Sequence, residues 1–150
     1  MQMDISRTTS KHADFVSLVK LLDAELEKSD GDEHHFYAQF NKIENLNHVV
    51  LLHIDGEPAA CGAIKQIDEK TMEVKRMYVV ENRRNQGLAS LILEELENWA
   101  IEMNYNRLIL ETGKKQIGAK ELYLKNGYKI IPNYGQYAGI DNSICFEKNL

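Results

Sequence analysis

Hydrophobic and polar positions alternate along this chain in a way that changes period several times, and each change marks an element. Met3 to Thr8 reads as a short first strand. Phe15, Leu18, Val19, Leu22 and Leu26 then recur at helical spacing, which predicts an amphipathic helix. Ser29-Asp30-Gly31 breaks it, and Asp30 with Glu33 has the form of a capping box opening a shorter second helix with Phe36, Tyr37 and Phe40 inward. Val49 to Ile54, Asp55-Gly56 and Ala59 to Ile67 form a hairpin pattern, because Asp-Gly suits the positive φ angles of a tight primed turn. A further turn at Asp68-Glu69-Lys70 leads into Met72 to Val80, completing an antiparallel meander.

Helical spacing returns from Leu88 to Met103, with Leu88, Leu91, Ile92, Leu96, Trp99 and Ala100 on one face and Glu94, Glu97, Asn98 and Glu102 on the other. Arg107 to Thr112 reads as a buried strand and Gln116 to Asn126 as a helix stopped by Gly127. Tyr128 to Ile131 and Ile144 to Lys148 close the pattern as two strands, with an aromatic loop between them. The order is that of an α+β or α/β domain with a mixed sheet. There is no repeat, linker or low-complexity stretch, so residues 1–150 read as a single domain.

Composition narrows the function classes. Hydrophobic residues make up 43% and charged ones 27%, the balance of an ordinary globular protein. The net charge of −5 argues against a nucleic-acid partner and mildly favours a cationic one. Two cysteines, Cys61 and Cys145, without metal-like spacing suggest a reduced, cytoplasmic setting. The pair His34-His35 lacks the surrounding ligands of a metal site, so no metal is expected. Residues 1–9 lack the apolar core of a signal peptide, and no apolar run reaches the ~20 residues of a membrane span.

The stretch Arg84-Asn85-Gln86-Gly87-Leu88-Ala89 lies between a strand and a helix start. Such a loop gathers unpaired backbone amides at the positive end of a helix dipole, where an anion is favoured. Gly87 leaves room for close approach. The Arg-x-x-Gly-x-Ala spacing resembles the pyrophosphate loop of the GNAT N-acetyltransferases. Further pieces follow in that family's order: Glu-Val-Lys-Arg-Met-Tyr-Val at 73–79, Leu-Glu-Thr-Gly at 110–113 and Ala-x-x-Leu-Tyr-x-x-x-Gly-Tyr at 119–128. Together they cover about the C-terminal half. Leu22-Asp23-Ala24-Glu25-Leu26, Tyr134-Gly135-x-Tyr137 and Ser143-x-Cys145-Phe146-Glu147-Lys148 resemble a bacterial GNAT subgroup whose acceptor is undefined.

The resemblance implies a mixed, mostly antiparallel sheet of about seven strands flanked by four helices, and acetyl transfer from acetyl-CoA to a primary amine. It implies that Arg84, Asn85, Gln86, Gly87, Leu88 and Ala89 hold the pyrophosphate. Met77, Tyr78 and Val79 would then run beside the pantetheine arm, with an amide near Val79 as oxyanion donor. Tyr123 stands at the family's tyrosine position, aimed at the CoA sulfur as general acid; its bland alternative is packing between helix and sheet. Where many members place an early asparagine after the fifth strand, this chain offers Gln116. Glu73 matches a glutamate base of one branch, with Glu111 or a water chain as alternatives and an ion pair with Lys75 or Arg76 as the bland reading. Glu25, Tyr37, Arg76, Glu111, Tyr134, Tyr137 and Ser143 are the candidates for the acceptor pocket.

Three activities fit: a small-molecule amine acetyltransferase, a protein or peptide acetyltransferase acting on lysines or N-termini, and a catalytically silent CoA-binding module. Tyr123 beside a full loop disfavours the third. A homodimer is the base-rate expectation for such a chain.

Overall fold

A computed structural model describes residues 1–31, 45–116 and 118–150. Its centre is one seven-stranded sheet, built from β1 (Met3–Thr8), β2 (Val49–Ile54), β3 (Glu57–Gln66), β4 (Thr71–Val79), β5 (Arg107–Gly113), β6 (Lys129–Ile131) and β7 (Ser143–Asn149). The spatial order is β1-β2-β3-β4-β5-β7-β6. The pairings are antiparallel except β4 with β5, which run parallel. Three helices accompany it among the described residues: α1 (Ala13–Asp30), α2 (Leu88–Glu102) and α3 (Ala119–Lys125). The short helix expected to begin at Asp30 and Glu33 falls on 32–44 and lies outside the described residues, as does Tyr37.

The sheet is covered on both faces, each by its own core. Met72, Val74, Leu108, Leu110 and Phe146 pack under Leu88, Ile92, Leu93 and Leu96 of α2, with Tyr123 of α3 in the same cluster. On the other face Phe15, Leu18, Val19 and Leu22 of α1 pack on Val49, Leu51, Cys61 and Tyr78. The stripes read from the sequence for α1 and α2 face the sheet, with Leu93 buried beside them and Leu26, Leu91 and Trp99 only partly buried. The Asp55-Gly56 turn has the two positive φ angles its residue types favour, 51° and 83°.

Two deviations from the expected elements matter for the site. First, α3 begins at Ala119 rather than Gln116, because Gly118 adopts φ 81° as its N-cap and the Gln116 amide instead closes a turn on Gly113 O at 3.1 Å. Its far end is a Schellman turn: Tyr128 N bonds Tyr123 O at 3.0 Å and Gly127 N bonds Leu124 O at 3.2 Å, with Gly127 at φ 90°. Second, β4 carries a bulge. Cys61 pairs with Tyr78 and Ala63 with Lys75, so Arg76 and Met77 together oppose Gly62. Gly62 makes room there, since a Cβ would lie 2.6 Å from Met77 Sδ and 2.7 Å from Ile92 Cγ2 and those side chains would have to shift.

Candidate active site

The parallel pairing of β4 with β5 covers Thr71–Glu73 against Arg107–Ile109 and ends there. Beyond it the bulge turns β4 away while β5 stays paired with β7 through Gly113. The two central strands therefore splay, and a cleft opens between them. Its walls come from α1 (Leu22, Leu26), β4 (Glu73 to Met77), β5 (Glu111 to Gly113), Gln116, Tyr123 and Tyr137. A sheet that opens between adjacent strands exposes backbone N–H and C=O groups along its edge, an invitation to an extended, amide-bearing ligand.

At the end of β4 the chain makes a short 3-10 turn (Glu81–Arg83) and then the 84–89 loop. Asn85 (φ 64°) and Gly87 (φ 79°) both take left-handed conformations, and Gly87 is the N-cap of α2. No side chain caps that helix end, so its first-turn amides remain directed out of the loop. The space over Gly87 is open, with nothing within 4 Å of a Cβ placed there. Leu88 is buried in the core, so it offers the loop only its backbone. Arg84 behaves differently from the anion ligand expected. Its Nε donates to Val79 O at 2.9 Å, its Nη2 to Glu25 Oε1 at 2.6 Å, and its guanidinium lies 5.5 Å over the Tyr78 ring. The positive character of the loop thus comes from amides rather than from this side chain.

Within the cleft the structure brings together residues far apart in sequence. Glu73 is only 6% exposed. Tyr134 Oη donates to its Oε2 at 2.5 Å, and Lys75 Nζ lies 3.6 Å from its Oε1. The ion pair with Lys75 is therefore present, and it coexists with a position in the cleft wall. Tyr134 and Tyr137 pack edge to face with ring centres 5.8 Å apart. Burial and nearby carboxylates raise the pKa of both phenols, through Glu73 first for Tyr134 and Glu111 first for Tyr137. Tyr123, 7% exposed, sits against Tyr128 and Phe146 with ring centres 5.8 and 5.5 Å away. Its pKa is raised by burial and then by Glu111, so the phenol keeps its proton through pH 10.

The remaining candidates divide. Arg76, Glu111, Gln116 and Met77 line the cleft. Tyr78 points to the opposite core, and Glu25 meets Tyr78 Oη at 3.5 Å in addition to Arg84, away from the cleft lining. Val79 packs against the core under α2. Ser143 is buried at the start of β7, where its amide bonds Ile140 O at 3.1 Å and its carbonyl accepts from Asn133; it closes the aromatic loop rather than lining the cleft. Sequence reasoning named Lys75 only as an ion-pair partner of Glu73 and gave Asp23 no role. Lys75 sits two residues from Glu73 on the same strand face, the one signal available. Asp23 lies beside the buried stripe of α1 and bonds Arg76 Nη1 at 2.7 Å.

The family model described as "Acetyltransferase (GNAT) family" matches residues 15–128. The chain belongs to the GNAT family. Among GNAT relatives, the uncharacterized N-acetyltransferase YsnE of Bacillus subtilis is 31% identical over 96 residues, 63% of this chain and 64% of that protein. The IAA acetyltransferase of Azospirillum brasilense is 34% identical over 63% of each. The chain thus spans just under two thirds of the length of these relatives. The crystal structure of the putative acyl-CoA N-acyltransferase from Klebsiella pneumoniae matches over 99% of this chain and 98% of that one, with TM-score 0.83 and 30% identity. A GNAT acetyltransferase from Elizabethkingia anophelis, solved with acetyl-CoA bound, shares the fold at TM-score 0.69 and 20% identity, over 99% of this chain and 98% of that one. GNAT proteins are acyl-CoA-dependent acyltransferases, and the open loop and splayed strands described above are compatible with such a donor. Among the described residues no helix is long and apolar enough to cross a membrane, and no cluster of His, Cys, Asp or Glu is arranged to hold a metal.

Proposed function

We propose that residues 1–150 act as one acetyltransferase domain that moves an acetyl group from acetyl-CoA to a primary amine of a small molecule, by direct attack with both substrates bound. The observation that carries this reading is the cleft where β4 and β5 part. The stretch of β4 no longer paired with β5 forms one wall, Glu73 and Tyr123 belong to the lining, and the same strand leads through a 3-10 turn to the uncapped 85–89 loop.

In this reading amides of residues 85–89 hold the pyrophosphate, and β4 from Met77 to Val79 runs beside the pantetheine arm. Glu73, working through water, takes the proton of the incoming ammonium. The amine nitrogen then attacks the thioester carbonyl, an N–C bond forms, and a β4 amide near Val79 stabilises the oxyanion. The C–S bond breaks as Tyr123 gives its proton to the leaving sulfur; the nitrogen loses its second proton to solvent, and solvent returns one proton to the phenol. The products are the amide, free CoA and one proton released from the ammonium. The raised pKa of Tyr123 suits a proton donor that is never ionised at working pH.

A small acceptor is favoured over a peptide because the cleft is walled by α1 on one side and by the Tyr134–Tyr137 loop on the other. The test is an acceptor screen with thiol-release detection over amines, amino acids and peptides. Turnover confined to small amines supports the reading; preferential modification of peptides overturns the acceptor class, and CoA binding without transfer to any amine overturns the activity.

A further inference from the structure

Arg76 fills a position that the backbone gives no reason to fill with arginine. It is the left-handed residue of the β4 bulge, at φ 59°, where glycine or asparagine is less strained. Its side chain is nonetheless drawn into the cleft wall and is 3% exposed. Nη1 bonds Asp23 Oδ1 at 2.7 Å, while Nη2 is shielded from solvent and has no hydrogen-bond partner among the described residues. A buried cationic N–H without an acceptor is costly, and a guanidinium fork is shaped to be met by two oxygens. Asp23 engages a single nitrogen and is 46% exposed, so it is a partner that solvent can readily draw aside.

The cleft is also polarised. Its end at Arg76 abuts α1, whereas Glu73 and Glu111, two carboxylates against the single ammonium of Lys75, face the aromatic loop and β7. We infer that Arg76 is the carboxylate anchor of the acceptor, and that the acceptor is a small zwitterion, an amine that carries its own carboxylate. The amine lies toward Glu73 and the carboxylate toward Arg76, which displaces or shares Asp23. This rests on the acetyl-transfer reading for the amine, but the carboxylate site is measurable without turnover.

The experiment compares matched acceptors, free amino acids against their carboxamides, with the intact chain, Arg76→Gln and Arg76→Lys. Thiol release at saturating acetyl-CoA gives the ratio of kcat/KM for acid over amide. The inference expects a ratio of about 10 to 100 in the parent, expressed mainly in KM. It expects a fall to near one in Arg76→Gln and an intermediate value in Arg76→Lys. If Arg76 merely clamps α1 to β4, the variants lose activity on both members of a pair alike and the ratio is unchanged, which overturns the inference. A parent ratio near one overturns it as well. A second readout is the thermal midpoint of the CoA-saturated protein with the free amino acids. A shift present in the parent and lost in Arg76→Gln supports the carboxylate site even where no amine is acetylated, an outcome that defeats the acetyl-transfer reading alone. No shift with any carboxylate-bearing amine in the parent overturns the site itself.

Discussion

The 84–89 loop and the cleft beyond Glu73 lie on consecutive stretches of chain, yet they are held in place by different means. The amide-bearing part of the loop is set mainly by its own backbone: two left-handed residues and a helix start fix the direction of its amides, with Arg84 at its entry also tied to Glu25. The cleft is assembled from contacts between distant segments. Glu73 meets Tyr134 across 61 residues, and Arg76 meets Asp23 across 53. A loop of the first kind tolerates many side chains but not a changed backbone. A cleft of the second kind is sensitive to single side-chain atoms and indifferent to their local sequence. In the proposed reaction the first kind of construction suits the constant donor, and the second suits an acceptor that differs from one protein to another.

The largest effect should follow from forcing the loop. Gly87→Asp puts a Cβ at φ 79°, costing about 1 kcal/mol, and a carboxylate near the pyrophosphate, costing about 4 kcal/mol at an effective dielectric of 20. CoA affinity should fall by more than about 10³-fold, read as loss of the CoA-induced midpoint shift in a protein that still folds. An unchanged shift would remove the loop from the donor site.

On the acceptor side, Glu73→Gln should lower kcat/KM by about 10²-fold at pH 7 with CoA binding intact. Part of the loss should return toward pH 10, where the amine is increasingly deprotonated without help. Equal loss from pH 6 to 10 would count against a base role and leave the ion pair with Lys75 as the function of Glu73. A smaller change is expected for Tyr134→Phe, which removes the hydrogen bond to Glu73 but keeps the ring packed on Tyr137. About a tenfold decrease in kcat/KM matches the value of a hydrogen bond to a charged group. If that variant equals the parent, the aromatic loop acts only as a wall.

The contrast between loop and cleft also explains what could be read in the sequence. The periodicities of α1 and α2, the Asp55-Gly56 hairpin and the Gly87 loop are local signals, and the structure has them within a few residues of the expected bounds. Gly118 was the local signal overlooked: its left-handed N-cap moves the start of α3 three residues along and leaves Gln116 in a turn. The bulge in β4 left no sequence mark, since arginine is not the residue type that a positive φ advertises. The engagement of Arg84 by Glu25 spans 59 residues, and no spacing rule contains it. Glu25 and Ser143, expected near the acceptor, lie outside the cleft lining, where Glu25 bonds Arg84 of the 84–89 loop and the Ser143 carbonyl accepts from Asn133.

Tyr123 is where the two constructions meet, since it belongs to the core under α2, lines the cleft, and is held by the turn at Gly127. The most direct measurement is therefore acetyl transfer by Tyr123→Phe, followed as CoA release and amide formation together on an acceptor found in the screen. The account predicts that kcat falls by about 10²-fold while the CoA-induced midpoint shift is retained. It also predicts that the parent loses no activity to ionisation of this phenol between pH 8 and 10, because the raised pKa keeps the proton in place. Turnover within a few-fold of the parent would contradict it, and would make Tyr123 a packing residue between helix and sheet.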